Sequence, residues 1–319
     1  MEYLGISVIV PFYNESFIEE CINSLIKQNY PKDRYEIIIV DNLSDLKYRS
    51  ILEKYKSDIV VITEPIKGAY YCRNRGISVS KFDILAFTDS DCRVDLKWLS
   101  VINNYFLHAK DNIMALQGNS GYVEDNKVAQ AIYQKYEETF FNYVVSKQNA
   151  SLCNRIDTRN CAIKRGIIHE IGLFNERMQV WGDAELGQRI VKATYRILYA
   201  DDMKIFHKNI NNVKVLADKR RGEGVNITKT LKAFGAQYTK KYFSEMLFIF
   251  LETTNYEMEI KEKRERVNYL IDKYHVQMSQ DDNQNKINEI IFELSDTAFL
   301  LGVIEEKLHL KESGYVYKA

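Results

Sequence analysis

Short runs of apolar, mostly β-branched residues alternate with polar stretches of helical spacing over the first part of the chain. The runs that predict buried strands are Ile6–Val10, Tyr35–Val40, Asp58–Thr63 and Ile84–Phe87. Apolar residues at intervals of three and four after Ser16 predict a helix with one buried face, and Ser16 with Glu19 has capping-box spacing. Ala69–Ser80 predicts a further helix. Strands alternating with helices predict an α/β fold with a parallel sheet.

The rest of the chain changes from a mixed pattern to a helical one. Helical spacing extends from Lys127 to Val145, and a polar loop is expected from Ser146 to Thr158. From Thr228 onward the chain is predicted to be wholly helical. Lys286–Leu308 carries an apolar stripe with a seven-residue repeat, which either packs against its own domain, the favoured interpretation, or forms a dimer seam. We therefore expect two domains, residues 1–227 and residues 228–319.

Composition and charge exclude several classes of protein. A chain of 319 residues with 46% hydrophobic residues can bury a sizeable core, which excludes disordered, collagen-like and disulfide-stapled proteins. The net charge is zero, and this argues against general nucleic-acid binding, because such binding neutralises phosphates. Five cysteines without a Cys-x-x-Cys pair favour reduced thiols. No leader pattern precedes Ile6, and no apolar run approaches the ~20 residues that cross a bilayer, so a cytoplasmic protein is expected.

Polar residues follow the predicted strands, at the edge where an open parallel sheet binds ligands. Asp89-Ser90-Asp91 follows the fourth strand, and two acids one residue apart suit Mg²⁺ or Mn²⁺, although a helix N-cap beside a solvated acid gives the same pattern. Asp41, at the end of the second strand, either contacts a ribose or base or is a turn residue. Arg73, in the connection after Lys67-Gly68, either suits a phosphate or nucleotide or is solvated.

Further candidates lie downstream. Asp183 opens a predicted helix and is a helix cap unless it has a chemical role. His207 ends an apolar run, and for a lone histidine a structural role is favoured over a ligand role. Trp181 either stacks on a substrate or belongs to the core. Residues 203–241 carry a local excess of Lys and Arg. These basic side chains are either simply solvated or bind anionic ligands. With the apolar residues Phe243, Met246, Leu247, Phe250 and Leu251 after it, this segment is also a candidate for docking on an anionic membrane.

In order and spacing, these segments resemble the family 2 glycosyltransferases with the GT-A fold. The matching segments are Ser7–Glu15, Tyr35–Asn42, Arg73–Ile77, Phe87–Asp91, Asn160–Arg165, Ile171–Glu176, Gly182–Leu186 and His207. The resemblance covers about residues 5–225, and the helical tail has none. It implies an α/β GT-A domain, with a Rossmann-like and mostly parallel sheet, followed by an α-helical C-terminal extension.

The resemblance also implies a reaction. A sugar would move from a nucleotide-diphosphate sugar, with a UDP-sugar favoured, to an acceptor hydroxyl with inversion at the anomeric carbon. Asp91, His207 and Asp89 would hold Mg²⁺ or Mn²⁺, and Asp183 would be the general base. The residues that would bind the donor are Pro11, Tyr13, Glu15, Asp41, Lys67, Arg73, Asp89, Ser90, Arg220 and Arg221.

Two further pairs of residues complete the expected site. Arg220 and Arg221 lie on a Gly-rich segment that is predicted to be a mobile loop closing over the diphosphate. Trp181 and Gly182 are expected at the acceptor. The expected acceptor is a glycan, a lipid-linked molecule or another hydroxyl compound in cell-surface polysaccharide or glycan assembly. A homodimer and peripheral contact with the inner face of the membrane are further expectations, and nucleic acid is not an expected partner.

The sequence departs from the family pattern in three places. Gly182 stands where the family usually has Glu, and Asn42 stands where Asp or Gly is frequent. The Gln-x-x-Arg-Trp segment of processive polymerases is missing after His207, which argues against a processive synthase. A sugar-phosphate nucleotidyltransferase would need a Gly-rich loop after the first strand, and Pro11–Glu15 is not one. A non-catalytic nucleotide-sugar-binding or scaffolding protein with the same fold remains the alternative.

Overall fold

The computed structural model describes residues 2–123, 126–139, 145, 151–242, 256–280 and 283–312. The chain forms two compact units. The first comprises residues 1–123, 138–176 and 182–208, and the second comprises residues 124–137, 177–181 and 209–319. The predicted boundary after residue 227 falls within a helix, Val213–Tyr242. The division into domains 1–227 and 228–319 stays a prediction.

A sheet of nine strands forms the centre of the first unit. The strands are β1 (Ile6–Phe12), β2 (Tyr35–Asp41), β3 (Val60–Thr63), β4 (Ile84–Thr88), β5 (Cys92–Val94), β6 (Ile113–Tyr122), β7 (Leu152–Cys153), β8 (Asn160–Lys164) and β9 (Arg196–His207). Their order is β3-β2-β1-β4-β8-β6-β9-β5, and β7 pairs with β9. Strands β5, β7 and β8 run against the other six. The predicted α/β class with a mostly parallel sheet is confirmed.

The helices follow the predicted pattern with shifted ends. They are α1 (Ile18–Ile26), α2 (Leu46–Glu53), α3 (Ala69–Val79), α4 (Trp98–His108), α5 (Lys127–Thr139), α6 (Arg165–Ile171), α7 (Gly182–Lys192), α8 (Val213–Tyr242), α9 (Tyr256–Gln280) and α10 (Gln284–Glu312). A 3₁₀ turn covers Lys32–Arg34. The helix expected to reach Val145 is described only to Thr139, and Val145 forms a bridge with Cys153.

The predicted capping box at the start of α1 is wrong. Phe17 occupies the N-cap position, and no side chain caps the helix there. Glu15 Oε1 instead accepts the backbone N–H of Phe17 at 2.8 Å, just before the helix begins. Glu19 is directed elsewhere, because it accepts hydrogen bonds from Lys54 Nζ at 3.0 Å and Tyr55 Oη at 3.2 Å.

Strands β1 and β4 separate toward their carboxyl ends. Their pairing ends at Ile9 and Phe87, whereas β1 continues to pair with β2 as far as Phe12 and Asp41. Pro11, which has no N–H to donate, lies in the stretch where β1 no longer pairs with β4. The chain builds β2 and β3 on one side of β1 and then β4 on the other. This switch point is where open α/β sheets bind ligands.

The second unit is helical. Its core consists of Val128, Ala131, Val213, Leu216, Ala217, Leu270, Ile287, Ile290, Ile291, Leu294 and Ala298. The described stripe residues Ile287, Leu294 and Ala298 of α10 therefore pack against their own unit, as the favoured interpretation held. Every described helix is too short or too polar to cross a bilayer. The residues of the proposed membrane-facing stripe, 243–251, lie outside the described part of the chain.

The prediction of a mobile Gly-rich loop at residues 219–224 is wrong, because this segment is part of α8. A Cβ atom on Gly224 would lie 2.1 Å from the carbonyl oxygen of Phe299, and one on Gly302 would lie 1.9 Å from that of Arg221. The glycines thus let the backbones of α8 and α10 approach closely. Arg220 binds Glu223, and Arg221 Nε lies 2.5 Å from Glu305 Oε2. Binding of the diphosphate by these arginines stays a prediction.

Candidate active site

Several of the predicted residues meet at one edge of the sheet. Asp41 ends β2, Asp89 and Asp91 follow β4, and His207 ends β9. Because these strands run in the same direction, their carboxyl ends lie on one edge. Strand β8 runs the opposite way, so the segment just before its first residue, Asn160, reaches the same edge.

A candidate divalent-metal site lies beside β5 and β9. Cys92 pairs directly with His207, so ligand atoms of Asp91, Cys92 and His207 all lie within 4.8 Å of one another. His207 Nε2 is 3.2 Å from Asp91 Oδ2. Two ligand atoms at adjacent positions of an octahedral Mg²⁺ or Mn²⁺ lie about 3 Å apart, so this pair fits such an ion. The carboxylate is a ligand type that suits Mg²⁺ and Mn²⁺.

Cys92 was not predicted as a member of this cluster. Its side chain is fully buried, and burial, followed by the Asp91 and Asp89 carboxylates, raises the pKa of its thiol well above the ordinary range. A protonated, buried thiol behaves as a small apolar group. Its place near the predicted metal ligands could have been inferred from the sequence, because Cys92 directly follows the Asp-x-Asp segment.

Arg73 binds Asp89. Its Nη2 donates to Asp89 Oδ1 at 2.7 Å, and the arginine is only 4% exposed. Burial is the largest influence and lowers the pKa of Arg73, but the nearby Asp89, Tyr70 and Asp183 side chains together outweigh it and raise the pKa, so the guanidinium stays charged. Arg73 Nε is buried without a hydrogen bond among the described residues. The structure therefore places Arg73 where it orients one acid of the Asp-x-Asp segment.

Asp183, the predicted base, lies in the first turn of α7. Its Oδ2 accepts the backbone N–H and the Oγ1 hydroxyl of Thr158, both at 3.2 Å. Its Oδ1 accepts the N–H of Ala184 at 2.9 Å and the hydroxyl of Tyr70 at 3.4 Å. Burial, followed by repulsion from the Asp157 carboxylate, raises the pKa of Asp183. The carboxylate is thus well oriented and more basic than an ordinary aspartate.

Asp157 and Arg159 form an ion pair beside it that was not predicted. Arg159 Nη2 lies 2.5 Å from Asp157 Oδ2, and Arg159 Nε donates at 3.1 Å. Burial is the largest influence and raises the pKa of Asp157, but the charge and hydrogen bonds of Arg159, with a smaller contribution from His207, together outweigh it, and the pKa lies at about 2. Asp157 therefore stays ionised and contributes the repulsion that keeps Asp183 basic. The Asp157-x-Arg159 spacing is not a motif that indicates an ion pair, so the sequence alone did not point to this one.

A buried polar network supports this edge of the sheet. The pairing of β6 with β9 shifts register between Gly118 and Asn119, which leaves carbonyl groups outside the ladder. Asn160 Nδ2 donates to the carbonyl oxygens of Asn119 and Met203, both at 2.7 Å. Its Oδ1 accepts the Trp98 indole N–H at 2.8 Å. Asn160 thereby satisfies the irregular backbone and fixes the segment that carries Asp157 and Thr158.

Asp41 lies at the β2 end of the site. Its Oδ1 accepts the N–H of Ser44 at 3.0 Å, as a turn residue does. Arg49 Nε lies 3.1 Å from Oδ2, but the angle does not fit a hydrogen bond, so Oδ2 is buried without one among the described residues. A buried carboxylate oxygen without a hydrogen bond suits a ligand N–H or hydroxyl.

Asn42 holds the loop that carries Lys67. Its Nδ2 donates to the carbonyl oxygens of Glu64 at 2.9 Å and Ile66 at 2.8 Å, and its Oδ1 accepts the N–H of Gly68 at 2.8 Å. An aspartate could not donate to the two carbonyls, which explains the departure from the family pattern at this position. Gly68 has a φ of 144°, a conformation that favours glycine.

The other residues predicted to bind the nucleotide-sugar donor are distributed around the β2 end of the site. Lys67 Nζ lies 3.4 Å from the Tyr13 hydroxyl, and Tyr13 is exposed. Glu15 forms an ion pair with Lys208 at 3.3 Å and contacts the start of α1. Ser90 is half-buried between Asp89 and Asp91, and Pro11 is half-buried in β1. Their assignments to the donor remain predictions.

The two residues assigned to the acceptor fall into different units. Trp181 belongs to the second unit and packs there with Val180, Ile227, Phe299 and Val303, which fits the core interpretation. Gly182 belongs to the first unit and begins α7 beside the ring of Tyr70. Tyr70, Asp157, Thr158 and Arg159 were not predicted. Each contacts its partner across the fold or through a short turn, and such contacts leave no periodic signal in the sequence.

Comparison with known proteins agrees with this site. The sequence profile described as Glycosyl transferase family 2 matches residues 7–172, which is more than half of the chain. The chain therefore belongs to glycosyl transferase family 2, and the predicted resemblance is confirmed.

Similar proteins carry glycosyltransferase names. The chain is 29% identical over 203 residues to "Glycosyltransferase AglE" of Haloferax volcanii, covering 62% of this chain and 65% of the relative. It is 40% identical over 94 residues to "Poly(ribitol-phosphate) beta-glucosyltransferase" of Bacillus spizizenii, covering 28% of this chain and 15% of that relative. The chain thus spans less than two thirds of the length of these relatives.

A solved structure also matches. "Mannosyltransferase PcManGT from Pyrobaculum calidifontis in complex with GDP-Man and Mn2+" aligns with a TM-score of 0.60 at 15% identity. The alignment covers 97% of this chain and 88% of that chain. At this identity the likeness establishes the fold, and the predicted GT-A fold is confirmed.

Proposed function

We propose that this protein is a metal-dependent inverting glycosyltransferase that moves a sugar from a nucleotide-diphosphate sugar to an acceptor hydroxyl. The observation that carries the proposal is the arrangement at one sheet edge. A carboxylate and an imidazole, Asp91 and His207, stand 3.2 Å apart, and Asp183 is a basic carboxylate that interacts with Arg73, the partner of Asp89. Family membership and the names of the relatives support this class of reaction.

Asp91 and His207 would hold the divalent cation, Mg²⁺ or Mn²⁺. A bound cation would stabilise the negative charge that develops on the leaving diphosphate. Arg73 would keep Asp89 oriented toward the ribose or the metal shell, because it binds Asp89 Oδ1 at 2.7 Å. The solved mannosyltransferase binds GDP-Man and Mn²⁺, which supports a divalent cation and a nucleotide-diphosphate sugar here.

Asp41 would bind the nucleoside. Its buried Oδ2 suits an N–H of the base or a ribose hydroxyl, and Lys67 and Tyr13 lie on neighbouring connections. The base of the donor is proposed to be uracil. Guanine, as in the ligand of the mannosyltransferase, offers a similar N–H, so the experiment below must separate the two.

Asp183 would act as the general base. It would take the proton of the acceptor hydroxyl while the acceptor oxygen attacks the anomeric carbon from the face opposite the diphosphate. This single displacement inverts the anomeric configuration. The raised pKa of Asp183 makes it a stronger base than an ordinary aspartate, and its hydrogen bonds keep it in one orientation.

The acceptor is proposed to be a glycan, a lipid-linked molecule or another hydroxyl compound in cell-surface polysaccharide or glycan assembly. Relatives named for transfer to poly(ribitol-phosphate) fit such a setting. A cytoplasmic location, with the protein peripheral at the inner face of the membrane, belongs to the same proposal.

Thermal unfolding with UDP, GDP, dTDP or CMP, each with Mn²⁺ or with EDTA, tests the donor site. A ligand that binds only the folded protein stabilises it by roughly 2.7 kcal/mol at a hundredfold excess over its Kd. We expect UDP to raise the Tm only with Mn²⁺, and Asp91→Ala to abolish the shift. If GDP is the only nucleotide that gives a metal-dependent shift, the base of the donor is guanine and the proposal of uracil is wrong. If no nucleotide shifts the Tm, the donor site is wrong.

A further inference from the structure

Tyr70, in the first turn of α3, is a buried tyrosine whose hydroxyl contacts the beginning of α7. The residue is 7% exposed. Its oxygen accepts the backbone N–H of Gly182 at 2.7 Å and, more weakly, that of Asp183 at 3.4 Å. A hydroxyl oxygen accepts two hydrogen bonds and donates one. With both acceptor positions directed at α7, the one proton is left to donate to Asp183 Oδ1, 3.4 Å away.

Two neighbouring side chains contact the ring of Tyr70. It stacks on Phe174, with ring centroids 5.7 Å apart and an interplanar angle of 20°. Asn74 fixes Phe174 by donating to its carbonyl oxygen at 2.9 Å and accepting its N–H at 3.1 Å. The Arg73 guanidinium lies 5.4 Å from the centroid of the Tyr70 ring. The hydroxyl therefore has a fixed place relative to α7.

Gly182 gives the ring its space. A Cβ atom at position 182 would lie 2.7 Å from two carbons of the Tyr70 ring, which is closer than real Cβ contacts. The ring cannot move away easily, because Phe174 stacks against it. A side chain at position 182 is thus incompatible with Tyr70 in its present place.

We propose that Tyr70 is a positioning residue for the Asp183 carboxylate and that Gly182 is required for it to act. Gly182 stands where the family usually has Glu. In this chain the space that a side chain at position 182 would fill, next to Asp183, is occupied by the ring of Tyr70. The inference rests on the proposed function, because it assigns the role of Asp183 as general base. It adds a residue on a different helix to that machinery.

The first test compares Tyr70→Phe with Tyr30→Phe in a donor-turnover assay with Mn²⁺. Tyr30 is the matched control, because its hydroxyl is also buried and hydrogen-bonded, with its one proton directed at the Leu4 carbonyl at 2.7 Å and Asn103 Oδ1 at 3.0 Å. We expect Tyr70→Phe to lower kcat about tenfold or more and to leave the donor KM within about twofold, since it loosens a group that acts in the transition state. Tyr30→Phe should change neither. Equal kcat values for the two variants would overturn the inference.

The second test is a double-mutant cycle followed by thermal unfolding. Gly182→Ala should lower the Tm in the wild-type background and have little effect in a Tyr70→Ala background, because the ring that the new Cβ meets is gone. Gly166→Ala is the control, since a Cβ at Gly166 meets no atom within 4 Å. Equal effects of Gly182→Ala in both backgrounds would overturn the pairing of Gly182 with Tyr70.

The assay separates this inference from the proposed function. If the wild-type protein turns over donor and Asp183→Asn does not, the proposed function stands, and wild-type kcat in Tyr70→Phe overturns the inference alone. If the wild-type protein turns over no donor, the proposed function fails and the positioning role fails with it.

Discussion

The Asp183 carboxylate shows how opposing effects set the properties of one residue. Four hydrogen bonds, from Thr158 twice, Ala184 and Tyr70, favour its ionised form. Burial and the ionised Asp157 carboxylate oppose them, and the net result is a raised pKa. A general base needs both properties, because orientation requires the hydrogen bonds and proton affinity requires the raised pKa.

Replacing Thr158 with Val should move the pH dependence of activity. The change removes one hydroxyl donor to the ionised carboxylate, so the protonated form is favoured and the pKa of Asp183 rises further. The base works only when ionised, and activity is lost as the pH falls through this pKa. The acid limb of the kcat/KM profile should therefore shift to higher pH.

Thr230→Val is the control for this prediction. Thr230 Oγ1 donates to the carbonyl oxygen of Asn226 at 2.9 Å inside α8, so the variant also loses a buried hydroxyl. Its pH profile should match that of the wild-type protein. If the acid limb of the kcat/KM profile is unchanged in Thr158→Val, Asp183 is not the group whose ionisation sets that limb.

At the scale of elements, α8 and α10 pack with their backbones in close contact. A Cβ on Gly224 would collide with the carbonyl oxygen of Phe299, and a Cβ on Gly302 would collide with that of Arg221. Glu305 on α10 accepts hydrogen bonds from Arg221 on α8 and from Arg264 on α9, which joins the three helices. Glycine in these helices is therefore a packing requirement.

Gly224→Ala should destabilise the second unit by about 1–3 kcal/mol, since the new methyl group meets backbone atoms that cannot rotate away. Gly222→Ala is a control two residues away in the same helix, where a Cβ meets nothing within 4 Å. It should stabilise the protein by about 0.5–1 kcal/mol, because alanine favours a helix more than glycine does. Urea unfolding measures both. Equal effects of the two changes would contradict the close packing of α8 on α10.

The elements were predictable where burial gives a strong periodic signal. The apolar runs of β1, β2 and β4 are buried on both faces and were found within one or two residues. The start of α8 was missed, because Gly222 and Gly224 are typical of loops in a sequence. Only the contact with α10, far away in the chain, shows why glycine occurs in this helix.

At the scale of the whole molecule, the site could be predicted where residues follow strand ends. Asp41, Asp89, Asp91 and His207 lie at the sheet edge because the topology places them there. The partners that set their chemistry could not be predicted in the same way. The nucleotide contact of Arg73 stays a prediction, and its hydrogen bond to Asp89 could not be predicted, since that contact depends on packing between α3 and the β4 connection.

Release of nucleoside diphosphate from a panel of sugar donors with Mn²⁺, compared between the wild-type protein and Asp183→Asn, tests the proposed reaction and its base together. Water can replace the unknown acceptor in this assay. We expect slow release from one donor by the wild-type protein and a loss of about a hundredfold or more in Asp183→Asn, with the metal-dependent Tm shift retained in both. Release at the wild-type rate by Asp183→Asn would contradict Asp183 as the base, and binding of nucleotide without turnover of any donor would support a non-catalytic binding or scaffolding role instead.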